Sequence, residues 1–389
     1  MHQVIYKFAE FLIKEDDDSC NFRHEMANRF PVECYKIKKL VQHTLLKQKS
    51  PKMSMNENSL KYEGREMKFI YKAFTKEDDK DTYVVIMLPD VEEGNTSEAQ
   101  ERNDKAWKLT DKFYKFNLNV KLYALNLSDL LFSDLFGTFF YELLYEFVFF
   151  LAQTEKIDPN TIYLMGDGVG GNLCYNAAYL APHLFAGVLA READVKKLPP
   201  METFRNLQVG FKIHYTSDED VKRKELRDVE QTFYDYTQRY SHVYPRIFDM
   251  YHKKSKTYII DTLLSEKRNY CPDRIVWRGS PSHSALLRHN YANGLYWIAL
   301  PLEEIKEDFL IEAYTNEEKD IINIKTNDVD SVIVRLNEYV VKDYKRPITI
   351  KFNGVVCFEG VVKPAEEFLD KSLKVCSDPY ILYYAEITA

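Results

Sequence analysis

The chain has 389 residues, a length that fits two or three domains. Hydrophobic residues make up 45% and aromatic residues 14%, enough to fill a sizeable core and too much for a disordered chain. Charged residues are 29% with a formal net charge of −7, so no global basic surplus invites DNA or RNA.

In chain order, YKFAEFLI, HEMANRF and YKIKKLVQHTLLK read as helices of an N-terminal extension over residues 1–58. The acidic run Glu15–Asp18 reads as a solvated loop after the first helix. The N-terminus lacks a basic start and a small-residue cleavage site, so no secretory leader is expected. KSPKMSMNENS (49–59) is polar and reads as a linker. LKYEGREMKFIYKAF (60–74) alternates about a turn, as a hairpin does. YVVIMLPD (83–90) is continuously apolar, the mark of a strand buried on both faces.

Helix and strand then alternate: SEAQERNDKAWKLTDKFYKF, NVKLYALNL, FFYELLYEFVFFLAQ, NTIYLMG, GNLCYNAAYLAP, FAGVLARE, NLQVGFKIHYT, RKELRDVEQTFYDYTQRYS and YPRIFDMY. This interleaving predicts an α/β domain over 59–275, with a mostly parallel sheet flanked by helices. The most apolar stretch, 136–153, carries Glu142 and Glu146 and is short for a membrane span, so it reads as a buried helix. From about residue 275 short β-branched runs dominate, among them RIVWRGS, GLYWIALPL, FLIEAYT, DIINIKT, SVIVRL, PITIKF and VVCFEGVV, with turn signals such as Asn353-Gly354. They predict a C-terminal antiparallel β-sandwich over 276–389.

The six cysteines, Cys20, Cys34, Cys174, Cys271, Cys357 and Cys376, are scattered and form no C-x-x-C. No metal site is expected, and the pattern fits reduced, mostly buried thiols of a cytoplasmic protein.

The most informative stretch is TIYLMGDGVGGNLCYNAA (161–178). Gly166, Gly168 and Gly171 fit G-x-G-x-x-G, a dinucleotide-phosphate fingerprint, and Glu192 could serve as its later acidic residue. The same stretch fits a G-x-S-x-G nucleophile elbow with Gly168 in the place of the serine. Position favours the elbow. The fingerprint belongs at the first strand of its sheet, and here a hairpin and further strands precede it.

MGDGVGGNLCYNAAYLAPHLFAGVLA resembles the elbow region of the α/β-hydrolase superfamily, with Pro182, Phe185 and Ala186 at matching places. KRNYCPDRIVWR (267–278) resembles a segment of large esterase-like members that carry a β-domain after the hydrolase domain. The resemblance covers roughly residues 60–389. It implies ester or peptide hydrolysis by a serine, an acid and a histidine in that chain order. The implied positions are Gly168 for the nucleophile, Asp218 (or Asp220) for the acid and His252 for the histidine. Gly168 has no side chain, Asp167 points elsewhere from such a turn, and Cys174 belongs to the core. The oxyanion turn is degraded as well. LPDVEEGN (88–95) has one glycine and three acids, and carboxylates there oppose a developing oxyanion. These two defects read as independent.

Other candidates read as structural. Ser280, Ser282, His283 and Ser284 lie in a junction loop, and Lys196-Lys197 and Lys253-Lys254 are too short for a nucleic-acid footprint. The expectation is a catalytically dead hydrolase-like protein without cofactor, acting through protein partners as a structural or binding component. An atypical hydrolase and a nucleotide binder using the GDGVGG turn are the alternatives.

Overall fold

The computed structural model describes residues 53–75, 82–91, 113, 118–155, 157–194, 210–215, 248–252, 256–279, 294–306, 308–365, 367–368, 371–372 and 380–389. For residues 153–154, 210–215, 248–252 and 256–257 it describes the backbone alone. The chain divides into two units, one of Ser50–Phe150 with Ile157–Asn269, the other including Tyr270–Ala389 and Leu151–Lys156.

The first unit is built on a nine-stranded sheet. Its strands are β1 (Met53–Met55), β2 (Ser59–Tyr62), β3 (Arg65–Phe74), β4 (Thr82–Leu88), β5 (Asn119–Leu125), β6 (Ile162–Asp167), β7 (Gly187–Arg191), β8 (Gly210–Tyr215) and β9 (Phe248–His252). The spatial order is β1-β2-β3-β5-β4-β6-β7-β8-β9. The first three strands run antiparallel to their neighbours, and β5, β4, β6, β7, β8 and β9 are mutually parallel. The expected hairpin turns at Glu63 and Gly64, both at positive φ. The expected linker is in part a strand. β1 pairs with β2, and Asn56 Oδ1 accepts from the amides of Asn58 and Ser59, closing the turn between them. The polar composition of MSMNENS hid that turn, while Met53 supplies its buried anchor.

Three helices matter here: α1 (Thr138–Thr154), α2 (Val169–Leu180) and α3 (Lys256–Leu264). Helix α1 is the aromatic stretch, and from Leu143 to Ala152 every described side chain is buried, Glu146 included. Such all-round apolarity fits an interior helix. Helix α3 buries Ile259, Ile260, Leu263 and Leu264, one helical stripe, in a cluster with Val85, Met87, Tyr163 and Leu189 of the sheet. Each such aliphatic side chain contributes about 1.5–3 kcal/mol by leaving water. The Tyr163 hydroxyl donates its one proton to the Glu266 carbonyl at 2.9 Å, with the Leu264 carbonyl 3.2 Å away, which ties the end of α3 to β6.

The second unit contains a five-stranded and a four-stranded sheet. β10 (Arg274–Arg278), β13 (Leu310–Thr315), β14 (Ile321–Asn327), β16 (Pro347–Phe352) and β17 (Val355–Val361) form the first. β11 (Gly294–Leu295), β12 (Ile298–Ala299), β15 (Ile333–Leu336) and β18 (Ala385–Thr388) form the second. Pairing is antiparallel as expected, with one exception: β14 and β16 run parallel. GLYWIALPL is two short strands turning at Tyr296, φ 55°, rather than one. The Asn353-Gly354 signal is a two-residue hairpin turn with φ 50° and 86°, the positive-φ pair that such a turn demands.

Candidate functional site

Gly168 makes the turn between β6 and α2 alone, with φ 52° and ψ −118°. A side chain is strained at such a φ, as at a nucleophile elbow. Its amide donates to the Arg191 carbonyl at 2.9 Å, and its carbonyl accepts from Asn172 at 3.1 Å. The flanking glycines are set by close packing. A Cβ on Gly170 would fall 2.0 Å from the Leu88 carbonyl oxygen, and one on Gly166 would fall 2.1 Å from the Gly170 carbonyl oxygen. A Cβ on Gly171 would meet the Arg191 carbonyl oxygen at 2.8 Å. Their smallness lets the start of α2 press onto the ends of β4 and β7. That accounts for the G-x-G-x-x-G spacing without a phosphate.

Asp90 sits just past the end of β4, beside the end of β6. Here the sheet order reverses, with β5 on one side of β4 and β6 on the other. Sites of open α/β sheets lie at such reversals. Asp90 is 2% exposed. Its Oδ1 accepts from the Val169 amide at 2.8 Å and from the Val91 amide at 3.0 Å. Val169 follows the nucleophile position, and Val91 belongs to the turn after an early strand. A working elbow uses this pair of amides to hold an oxyanion. A Cβ on Gly168 would lie 2.2 Å from Asp90 Cγ and Oδ1, and 2.5 Å from Oδ2. One carboxylate thus takes the space that a side chain at position 168 would fill and accepts from both amides. The glycine at 168 and the acid at 90, which the sequence offers as independent features, are therefore coupled in space.

Asp167, the last residue of β6, pairs with Arg191 at the end of β7. Arg191 Nη1 lies 2.8 Å from Oδ1 and 2.9 Å from Oδ2, and both residues are buried. Burial pushes the Asp167 carboxyl up to about 6. The Arg191 guanidinium pulls it down, while Glu192 and Asp90 push it further up. Asp167 is thus engaged by Arg191. Cys174 is fully buried, its Sγ 2.7 Å from where a Gly166 Cβ would stand. Burial raises its thiol well above the ordinary range. It is a core side chain. Cys357, by contrast, is exposed.

None of the remaining predicted triad positions has a described side chain. His252 closes β9 in register with Tyr215, and only its backbone is described. Asp218, Asp220, Glu92, Glu93, Lys196-Lys197, Lys253-Lys254 and the Ser280–Ser284 cluster lie outside the described residues. Among the described residues no group of His, Cys, Asp and Glu could hold a metal ion, and no helix is long and apolar enough to cross a membrane. The sequence reading missed Arg191 as the partner of Asp167. Its signal was a basic residue closing an otherwise apolar strand, FAGVLAR.

A pocket of about 390 Å³ opens at the carboxyl ends of β4 and β5, and Asp90 and Val91 line it together with Lys68 of β3.

No protein-family model and no curated protein sequence matches the chain. Among solved structures it is similar to a thermostable esterase, at 18% identity and a TM-score of 0.37, covering 56% of this chain and 63% of that one. It is also similar to the S-formylglutathione hydrolase of Staphylococcus aureus, at 12% identity and a TM-score of 0.35, covering 56% and 96%. A 2,6-dihydroxy-pseudo-oxynicotine hydrolase matches at 13% identity and a TM-score of 0.36, covering 61% and 73%. An antiparallel leading hairpin, the β5-β4-β6 inversion and an elbow after β6 make the first unit an α/β-hydrolase fold.

Proposed function

We propose that this protein is a non-catalytic member of the α/β-hydrolase fold, acting in the cytoplasm as a structural or binding component of a larger assembly. The observation that carries the reading is Asp90. Its carboxylate is bound by the amides of Val91 and Val169 and fills the volume of an elbow side chain. Acyl transfer needs a nucleophile there and open donors beside it, because the barrier falls only when developing charge meets preorganised dipoles. Losing the nucleophile alone costs many orders of magnitude in rate. The expected outcome is no labelling by a fluorophosphonate probe and no turnover of aryl esters. Native pull-down with mass spectrometry should return stoichiometric protein partners. Probe labelling, or the absence of any stable partner, would count against the reading.

A second reading has one specific observation in its favour. Carboxylates also serve as nucleophiles, and Asp90 stands at the reaction position on the wall of a pocket. In that case the protein is an atypical hydrolase with a relocated nucleophile. Turnover abolished by Asp90→Asn would select this alternative. The nucleotide-binding alternative finds less support, since the Val169 amide is already bonded to Asp90 and the glycines serve close packing.

A further inference from the structure

The five-stranded sheet of the second unit ends on β17. This strand pairs with β16 on one side and, among the described residues, with no strand on the other. An edge strand presents a row of amides and carbonyls, and natural edges are blunted by charges, prolines or bulges. Here the blunting lies at two ends. The register with β16 shifts so that Cys357 is the extra residue of β17, and Pro364, which has no N–H, follows the strand. Between them residues 358–363 keep the period of a strand. Glu359, Val361 and Lys363 are exposed, Val361 by 48%, and Phe358, Gly360 and Val362 are covered in part or in full.

The hydrogen-bond ladder fixes which backbone groups point outward. The amides of Thr349 and Asn353 donate to the carbonyls of Asp320 and Ile324, toward β14. The alternate residues of β16, Ile348 and Ile350, therefore turn toward β17, opposite Gly360 and Phe358. Gly360 and Phe358 face inward in return. The amides and carbonyls of Glu359 and Val361 point away from the sheet.

The side chains on this edge match their own reversed copy. An antiparallel strand of the same sequence, related by a two-fold axis at Val361, sets valine against valine. It also sets Glu359 of each copy opposite Lys363 of the other. Each of these facing pairs exchanges both of its N–H···O bonds, and each charge meets its opposite. Sliding the register toward Glu359 first sets that carboxylate against Val361 and then against itself, a like-charge pair that destabilises. The bulge at Cys357 and Pro364 both fall outside the paired stretch.

We propose that the outer edge of β17 pairs antiparallel with the same edge of a second copy of this chain, about a two-fold axis at Val361, with Glu359 of each copy against Lys363 of the other. The contact is isologous, the commonest form among homodimers. A strand pair of this length covers less than the ~1,200 Å² of stable complexes, so the association is weak and reversible. It goes beyond the non-catalytic reading and holds whether or not the elbow is active.

Small-angle X-ray scattering of the full chain, from about 1 μM to about 1 mM, should show the apparent mass rising toward that of two chains. Val361→Pro removes an outward N–H and leaves the ladder to β16 whole. It should abolish the rise, and a thermal melt close to wild type verifies its fold. Glu359→Lys and Lys363→Glu should each weaken dimerisation about tenfold, and the double exchange should restore it, a rescue that a folding defect would not give. A chain monomeric throughout overturns the proposal, as does a dimer that Val361→Pro and both charge reversals leave unchanged. Hydrogen exchange tests the other occupant. Protection of the Glu359 and Val361 amides at micromolar dilution would put a segment of the same chain on this edge, and that result also overturns the proposal.

Discussion

Gly168→Ser is the obvious attempt to restore a nucleophile, and the geometry predicts that it damages the protein instead. The new Cβ would stand 2.2 Å from Asp90 Cγ, less than a tolerable contact, so the carboxylate must leave. Leaving breaks two hydrogen bonds to a charged group, at about 1.5–3 kcal/mol each. A side chain held at φ 52° adds strain of about 1–3 kcal/mol. The expected loss is roughly 4–9 kcal/mol, a large share of the ~5–15 kcal/mol that holds a typical domain together. Urea denaturation followed by circular dichroism measures it, and aryl-ester turnover should stay at background. The double variant Asp90→Gly/Gly168→Ser removes the clash. It should be more stable than Gly168→Ser alone, which makes the pair strongly non-additive. A Gly168→Ser protein within about 0.5 kcal/mol of wild type, a typical surface-mutant effect, would refute the reasoning.

Three further outcomes follow from the same geometry. Because the folded-state carboxyl of Asp167 is raised to about 6, the folded chain holds a proton that the unfolded chain releases between roughly pH 4 and 6. The contribution of this group is therefore fully present below pH 4 and lost as pH rises through 6. The stability of wild type relative to Asp167→Asn should fall by about 2–3 kcal/mol from pH 4 to 7, at 1.36 kcal/mol per unit, and a flat difference in urea titrations would contradict this. Gly354→Ala meets nothing within 4 Å and should cost only about 1–2 kcal/mol for its left-handed φ, whereas Gly170→Ala, with a Cβ 2.0 Å from the Leu88 carbonyl oxygen, should yield no folded protein. Peptide mapping after maleimide treatment of the native protein should show Cys357 labelled, slowly because burial raises its thiol, and Cys174 untouched; labelled Cys174 would contradict its place in the core.

Much of the fold was legible because its signals are local. Continuous apolar runs such as YVVIML and the glycine-punctuated TIYLMGDGVGG encode a buried parallel strand and a sharp strand-to-helix turn within a few residues. The NG turn of β16 and β17 is equally local, since only certain residues accept two positive φ angles in a row. What escaped depends on distance in the chain. β1 was hidden because a three-residue strand exists only by pairing with β2, and its composition alone reads as linker. The parallel pairing of β14 with β16 is likewise a choice of partner, which alternation along a single strand does not record.

The site shows the same limit in its sharpest form. Residue by residue, the sequence displays a glycine at 168 and an acid at 90, and these look like two separate features. In space each requires the other. Asp90 reaches the Val169 amide, 79 residues away in sequence, through the volume that an elbow side chain would fill. Without Asp90, the amides of Val91 and Val169 would lose the acceptor that satisfies them at a half-buried turn. A carboxylate at position 90 is thus compatible with this turn only when position 168 is glycine, and a glycine at 168 leaves a donor pair that a carboxylate satisfies. Restoring chemistry by a single substitution at either position therefore runs uphill. The turn keeps its shape because the Asp90 carboxylate meets both of its amides from within.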